Sequence, residues 1–227
     1  MDRAGRQTVY VWELPIRIVH WTIVLAILVL TLTGFWLYSP FFRPPATYGW
    51  GHPGYTLAVI RFIHELAGGI FIAALLGRVY WAFAGNRYAS WRALLPITPH
   101  QRWRLGQTIR YYAYVRREPP PSIGHNPLAG LAYLVLYGGF FLSALTGLAL
   151  FSWVAPTAPL RSLFSWTWTM MPIQDIRLIH FLLMFWFLAF AVHHLYSAIL
   201  IDVEERNGEL SSIITGWKLD EGEEHDF

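Results

Sequence analysis

Residues 176–201 read IRLIHFLLMFWFLAFAVHHLYSAILI, a nearly unbroken apolar run with a histidine close to each end. A helix of this length, at about 1.5 Å per residue, can cross the roughly 30 Å hydrocarbon core of a bilayer. Arginine and histidine are costly in that environment, so their presence in a membrane helix indicates a functional site. The stretch therefore predicts a membrane-spanning helix with functional histidines.

The motif that opens this stretch, Ile-Arg-x-x-His, occurs twice more, as IRIVH at 16–20 and IRFIH at 60–64. Each copy again stands at the start of an apolar run. With one further run that lacks the motif, the chain has four segments of spanning length. We predict an all-α integral membrane protein, a four-helix bundle formed by residues 1–227 as a single domain. The predicted transmembrane helices cover about 17–38, 58–84, 128–152 and 175–201.

Composition supports a membrane protein and excludes several kinds of site. Hydrophobic residues make up 55% of the chain and charged residues 14%, and the mean hydropathy is +0.38. These values differ from those of a soluble domain. The chain contains no cysteine, which excludes disulfides, iron–sulfur clusters bound by this chain and covalent cofactor attachment through Cys-x-x-Cys-His. A net charge of +3 is too small to indicate a nucleic-acid partner.

The distribution of arginine predicts the direction of the helices. The segment 86–126 has seven arginines and a single acid, whereas 39–57 and 153–174 have one arginine each. The positive-inside rule then places 86–126, both termini and the polar tail of 202–227 in the cytoplasm. We expect 99–117, which mixes arginine with aromatic residues, to form a helix on the membrane surface. The outer segments form either a docking surface for a partner or an ordinary aromatic belt.

The histidines of the fourth predicted helix cannot bind the same metal ion. His180 and His194 are fourteen residues apart, a step that returns to within about 40° of the same face and rises about 21 Å. His193 points about 140° away from His180 by the same geometry, so His194 is the better ligand. Histidines on different helices that lie at the same depth in the membrane can share a site. By depth, His20 pairs with His194, and His64 pairs with His180.

Two histidine pairs at two depths predict two stacked haems, each held non-covalently by two imidazoles. One site near each membrane surface would form a path for electrons across the bilayer. Zinc or copper bound by the same residues is the competing chemical interpretation, but ligands at two depths without a thiolate fit it poorly. For a histidine taken alone, a satisfied polar side chain with no ligand is the alternative.

The same fourteen-residue step predicts what faces each haem on the other helices. From His20 it reaches Gly34, which would leave room for a porphyrin, and from His64 it reaches Arg78, whose guanidinium would pair with a propionate. Gly68, one turn after His64, would give similar clearance. For the glycines, helix packing is the alternative. The arginines of the repeated motif would also meet propionates, or would snorkel to the headgroups instead. These arginines are Arg17, Arg61 and Arg177.

Four segments of the chain resemble a known family in combination. They are RIVHW at 17–21 with the later Thr33-Gly34, YWAFAGNRY at 80–88, IGHNP at 123–127, and RLIH at 177–180 with its continuation to 194. Together they resemble the b-type cytochrome subunit of membrane-bound nickel-iron hydrogenases, from about residue 10 to residue 202. Related four-helix cytochromes serve formate dehydrogenases and thiosulfate reductases, so the fold alone does not identify the partner.

The resemblance implies an integral subunit of the bacterial cytoplasmic membrane with two b haems. In the family this subunit anchors the hydrogenase, a small iron–sulfur subunit and a large subunit, on the periplasmic face, and it passes electrons to the quinone pool. The family's histidine ligands match His20, His64, His180 and His194, in agreement with the pairing from depth. The sequence departs from the family in having His193 directly before His194.

The resemblance also implies that this chain does not activate hydrogen itself. Electrons from the partner's clusters would reach the outer haem, cross to the inner haem and reduce a quinone nearby. Quinone reduction needs hydrogen-bond donors and a proton route, and His125 and Asn126, at the inner end of the third helix, are suitably placed. The alternative for Asn126 is an N-cap, with Pro127 at the first helical position.

Three alternatives stay open on the sequence. The chain would be the cytochrome b of another periplasmic dehydrogenase, such as formate dehydrogenase, with the same haems and a different electron source. It would otherwise be a stand-alone diheme superoxide:quinone oxidoreductase, or a structural anchor without a cofactor. The polypeptides that co-purify with the chain, and its absorption spectrum, distinguish among them.

Overall fold

The computed structural model of the chain describes residues 7–40, 53–117, 124, 126–154 and 158–220. In these residues the chain forms eight helices and two short strands. In chain order they are β1 (Gln7–Tyr10), α1 (Leu14–Tyr38), α2 (Pro53–Ala84), α3 (Trp91–Leu94), α4 (Pro99–Tyr112), α5 (Pro127–Val154), α6 (Ala158–Met170), α7 (Ile173–Glu205), α8 (Glu209–Thr215) and β2 (Trp217–Asp220).

Four of the helices, α1, α2, α5 and α7, are long and apolar enough to cross a membrane. They confirm the four predicted spans and their order. The side chains of Leu25, Leu28 and Leu32 on α1 are 59%, 56% and 57% exposed. Apolar surface costs roughly 25 cal/mol per Å² in water, so these faces are suited to contact with lipid.

The helices extend beyond the predicted spans. α7 begins at Ile173 and continues through Asp202 to Glu205, whereas the apolar run in the sequence ends near residue 201. The reason is that polar residues can continue the backbone hydrogen-bonding of a helix after the apolar face has ended. The predicted helix within 99–117 is also present, as α4. It begins with a capping box in which Thr98 and Gln101 bond to each other's backbone N–H groups.

The described residues divide into two compact units. Unit 1 comprises those of 1–19, 77–138 and 189–227, and unit 2 comprises those of 20–76 and 139–188. Each of the four long helices contributes residues to both units. The single domain expected from the sequence stays a prediction.

In unit 2, aromatic side chains join the long helices. Phe71 of α2 meets Phe140 of α5 with ring centroids 5.2 Å apart, and Phe140 meets Phe187 of α7 at 5.0 Å. Gly139 permits this approach, because a Cβ at that position would overlap the ring of Trp186. The close contact between α5 and α7 therefore depends on a residue without a side chain.

Unit 1 brings the two ends of the described chain side by side. β1 pairs antiparallel with β2, so that Gln7 lies opposite Asp220 and Tyr10 opposite Trp217. This sheet was not predicted from the sequence. The side chain of Lys218 is buried and forms an ion pair with Glu209 at the start of α8.

A small core in unit 1 holds the beginning of α1 against the turn that follows α2. Its members are Val11, Trp12, Ile16, Tyr88 and Ala89. In that turn, the Asn86 side chain donates to the Val11 carbonyl at 2.9 Å and accepts from the backbone N–H groups of Tyr88 and Ala89. The Gly-Asn-Arg-Tyr segment thus has a structural function, since Asn86 satisfies backbone groups of two separate segments.

Candidate haem sites

The rings of His64 and His180 lie next to each other within unit 2. Their centroids are 6.4 Å apart and their planes are inclined by 72°. Two imidazoles that bind one metal from opposite sides, each through a nitrogen about 2 Å from the metal, have centroids roughly 6 Å apart. The structure therefore brings this predicted pair together at a separation that suits a shared iron.

Each of these rings is hydrogen-bonded to a threonine on another helix. Thr33 Oγ1 of α1 lies 2.8 Å from Nδ1 of His64, and Thr146 Oγ1 of α5 lies 2.9 Å from Nδ1 of His180. With Nδ1 occupied in this way, Nε2 is the nitrogen left on each ring for a metal. Neither threonine was singled out from the sequence as a site residue.

A glycine follows each of these threonines and lies against the same ring. A Cβ on Gly34 would lie 3.5 Å from Cε1 of His64, and a Cβ on Gly147 would lie 3.1 Å from Cε1 of His180. The structure thus puts the predicted Gly34 beside a predicted ligand and adds Gly147, which sequence reasoning missed. The signal that would have found it is the tripeptide Leu-Thr-Gly, which occurs at 32–34 and again at 145–147.

The predicted Gly68 has a different neighbour. A Cβ there would lie 4.0 Å from the Leu30 side chain of α1, which is ordinary van der Waals contact. This surrounding agrees with the helix-packing alternative. The role of Gly68 in haem clearance stays a prediction.

Within unit 1, the surroundings of the histidine doublet on α7 differ between its two members. His194 is half-buried, lies 3.2 Å from the Tyr133 hydroxyl through Nδ1, and stacks on Phe190 with centroids 5.8 Å apart at 11°. His193 is exposed. His20, half-buried in unit 2, meets the edge of Trp21 at 5.4 Å. The pairing of His20 with His194 stays a prediction.

Arg78 is the predicted propionate partner that the structure buries. It is 7% exposed, its Nε donates to the Tyr137 hydroxyl at 3.0 Å, and its guanidinium lies 5.4 Å from the centre of that ring. Its Nη1 is buried without a hydrogen-bond partner among the described residues. A buried cationic donor without an acceptor is costly, so an anionic group such as a propionate fits this position.

The three motif arginines have other surroundings. Arg17 donates through Nη1 to the Ile214 carbonyl and through Nη2 to the Tyr10 hydroxyl at 3.4 Å, so it joins α1 to the terminal segments of unit 1. Arg61 and Arg177 are exposed. Propionate contacts by all three stay predictions.

The predicted quinone pair is described only in part, because His125 lies outside the described residues. Asn126 caps α5, since its Oδ1 accepts from the N–H of Ala129 at 2.7 Å. Asn126 is also a neighbour of Tyr112, whose pKa is raised by burial and by the carboxylates of Glu205 and Glu204 and lowered in part by Asn126. The N-cap interpretation is thus observed, and a quinone contact stays a prediction.

The residues present fit a haem better than a bare metal ion. Among the described residues, no group of three or more histidine, cysteine, aspartate or glutamate side chains could hold a metal ion. The His64 and His180 pair supplies two ligands, and zinc in proteins has at least three protein ligands. A porphyrin supplies the remaining four nitrogens to an iron, and the glycines beside the rings leave space at the ring edges.

These features are typical of one class of protein, the membrane-bound b-type cytochromes, and the comparisons with known proteins agree. The family model "Prokaryotic cytochrome b561" matches residues 11–216. The chain belongs to this family.

Its relatives confirm the resemblance read from the motifs. One from Azotobacter vinelandii is 34% identical, covering 96% of this chain and 92% of its own, and one from Rhizobium leguminosarum bv. viciae is 36% identical, covering 94% and 90%. Both are named "Probable Ni/Fe-hydrogenase B-type cytochrome subunit". A relative from Escherichia coli K12, the "Probable Ni/Fe-hydrogenase 1 B-type cytochrome subunit", is 35% identical, covering 92% and 90%.

Proposed function

We propose that this chain is the diheme b-type cytochrome subunit of a membrane-bound nickel-iron hydrogenase and transfers electrons from hydrogen oxidation across the membrane to quinone. The family supports haem b, and the names of the relatives support a hydrogenase partner. The observation that carries the proposal is the apposition of His64 and His180 at 6.4 Å, each held through Nδ1 by a threonine.

The outer haem would be held by His64 and His180. Haem b, when bound, supplies an iron that accepts and gives up a single electron. Thr33 and Thr146 orient the two imidazoles, and Gly34 lies against the edge of the His64 ring.

The inner site would be formed by His20 and His194. Tyr133 and Phe190 hold the His194 ring on one face of α7, and Arg78 would donate its unsatisfied Nη1–H to a propionate. Fourteen residues separate His180 from His194 on α7, about 21 Å along its axis, so this one helix would supply a ligand to each of the two sites.

The quinone would bind beside the start of α5. His125 and Asn126 would donate hydrogen bonds to a quinone carbonyl, and Asn126 would do so while it caps the helix. A tyrosine hydroxyl ordinarily keeps its proton at neutral pH, and the pKa of Tyr112 is raised further by burial, so Tyr112 would serve as a further donor near Asn126.

The arginine distribution supports the orientation. The arginines of 86–117 and both chain ends would lie in the cytoplasm of a bacterial cell, in its cytoplasmic membrane. The pairing of β1 with β2 agrees with termini on the same side. This chain has no cysteine to hold iron–sulfur clusters, so electrons would arrive through the clusters of the hydrogenase small subunit. The small and large subunits would dock on the periplasmic side, as in the family.

The test is purification of the chain from its native membrane in mild detergent. We expect a nickel-iron hydrogenase to co-purify, two b haems per chain in the reduced-minus-oxidised spectrum, and hydrogen-dependent reduction of added quinone. A formate dehydrogenase in its place would indicate the related dehydrogenase anchor, and quinone reduction by superoxide without a partner would indicate the stand-alone enzyme. Absence of any b-haem absorption would overturn the proposal.

A further inference from the structure

The tripeptide Leu-Thr-Gly occurs on two of the long helices, at 32–34 of α1 and at 145–147 of α5. In both copies the threonine Oγ1 lies within hydrogen-bonding distance of Nδ1 of a histidine, and a Cβ added to the glycine would contact Cε1 of the same ring. The first copy contacts His64 and the second contacts His180. The threonine and the glycine of each copy thus form the same arrangement around one member of the histidine pair.

The direction of the threonine hydrogen bonds determines which nitrogen of each ring has the proton. Thr33 Oγ1 donates to the Val29 carbonyl at 2.6 Å, with Leu30 as a longer second acceptor at 3.3 Å. A hydroxyl has one hydrogen, and a carbonyl can only accept. With that hydrogen directed to the backbone of α1, Oγ1 is free to accept, and the arrangement favours Nδ1 of His64 as the donor.

The second copy has the same direction. Thr146 Oγ1 donates to the Leu142 carbonyl at 2.8 Å, with Ser143 as a second acceptor at 3.1 Å. This arrangement favours Nδ1 of His180 as the donor in the same way. In the Nδ1–H tautomer each imidazole presents an unprotonated Nε2, which is the form that binds a metal.

We propose that Thr33 and Thr146 are positioning residues that hold His64 and His180 in the Nδ1–H tautomer and thereby lower the reduction potential of the iron they share. The proposal rests on the proposed function, since it requires these two histidines to hold the haem iron. An acceptor on Nδ1–H makes the imidazole a stronger electron donor. A stronger donor stabilises the oxidised iron more than the reduced iron, which lowers the potential.

The test is a redox titration of both b haems in the purified complex, for the wild type and for Thr33→Val, Thr146→Val and the matching serine variants. Valine keeps the shape of threonine and removes the hydroxyl, and serine keeps the hydroxyl. Thr31→Val is the control, because Thr31 is buried on the same helix and lies about 200° around its axis from Thr33, away from His64. Haem content is measured for each variant.

We expect each valine variant to shift the potential of one haem to a more positive value, with the second haem unchanged and the two shifts adding in the double variant. The serine variants and Thr31→Val should match the wild type. Loss of one haem in a valine variant, with recovery in the serine variant and the second haem intact, also supports the proposal. That second haem shows that the chain has folded.

Unchanged potentials in both valine variants at full haem content would overturn the proposal. So would a serine variant that behaves like its valine counterpart, because the hydroxyl would then not be the group that matters. The wild-type titration separates this outcome from failure of the proposed function. If the wild type lacks two b haems, the proposed function is wrong. If it has two b haems whose potentials do not change when the hydroxyls are removed, only the tautomer inference is wrong.

Discussion

Of the two described glycines that lie against a candidate ligand ring, Gly147 has the tighter surroundings. A Cβ there would lie 3.1 Å from Cε1 of His180, so the ring would have to move, and overpacking of this kind costs about 1–3 kcal/mol. We expect Gly147→Ala to reduce the content of the outer haem in the purified protein. Gly138→Ala is the matched control on α5, because a Cβ at Gly138 meets nothing within 4 Å. Equal haem contents in the two variants would contradict a clearance role.

Arg78 allows a test of the propionate contact. A hydrogen bond to a charged group contributes about 1.5–3 kcal/mol, so we expect Arg78→Gln to weaken binding of the inner haem by roughly 10- to 100-fold. Loss of the positive charge should also make its potential more negative, with Arg78→Lys intermediate. Haem titration and redox titration measure the two effects. The exposed Arg92→Gln controls for the change in net charge, and an Arg78→Gln variant that matches it would refute the contact.

At the scale of the element, the helical phase of α7 gives two adjacent histidines different surroundings, and only one of them is placed as a candidate haem ligand. His194 is half-buried against Tyr133 and Phe190, whereas His193 is exposed. We expect His194→Ala to remove the inner haem and abolish hydrogen-dependent quinone reduction while hydrogen oxidation with an artificial dye continues. His193→Ala should keep both haems. The reverse result would mean that the helical phase is wrong.

Two substitutions of Asn126, at the start of α5, distinguish its role as an N-cap from a role in quinone binding. Serine is as good an N-cap as asparagine, whereas alanine loses about 1 kcal/mol. We expect Asn126→Ser to keep the thermal stability of the wild type and to raise the KM for quinone, and Asn126→Ala to lower both stability and quinone affinity. An Asn126→Ser variant with wild-type quinone kinetics would leave Asn126 as a cap alone.

At the scale of the whole molecule, the buried ion pair of unit 1 lies where the two ends of the described chain meet. The Lys218 side chain is 1% exposed and that of Glu209 is 28% exposed, so an unpaired Glu209 can reach water and an unpaired Lys218 cannot. We expect Glu209→Gln to destabilise the protein by about 3 kcal/mol or more, and Lys218→Met to cost much less. Thermal unfolding in detergent, with proteolysis of the tail, measures the difference. Equal losses would mean that Lys218 is not isolated from solvent.

Much of this molecule was predictable because a bilayer imposes simple conditions on composition. A span must be apolar over about 20 residues, and all four spans satisfied that condition. A histidine in such a helix stands out against its neighbours, which is why His64 and His180 could be identified from the sequence. The small sheet of unit 1 was missed because Gln7–Tyr10 and Trp217–Asp220 are short, polar in part, and about 200 residues apart in sequence.

The sequence by itself therefore determined the four spans, their order, the family, and the histidines that are candidate ligands. Each of these depends only on local composition, on helical period or on short motifs. Only the tertiary structure decided which side chains surround those histidines. Thr33, Thr146 and Gly147 are ordinary residues of membrane helices in isolation. Their role becomes visible when a ring from another helix lies within hydrogen-bonding distance, because a hydrogen bond between helices depends on how the helices approach, which no single helix specifies.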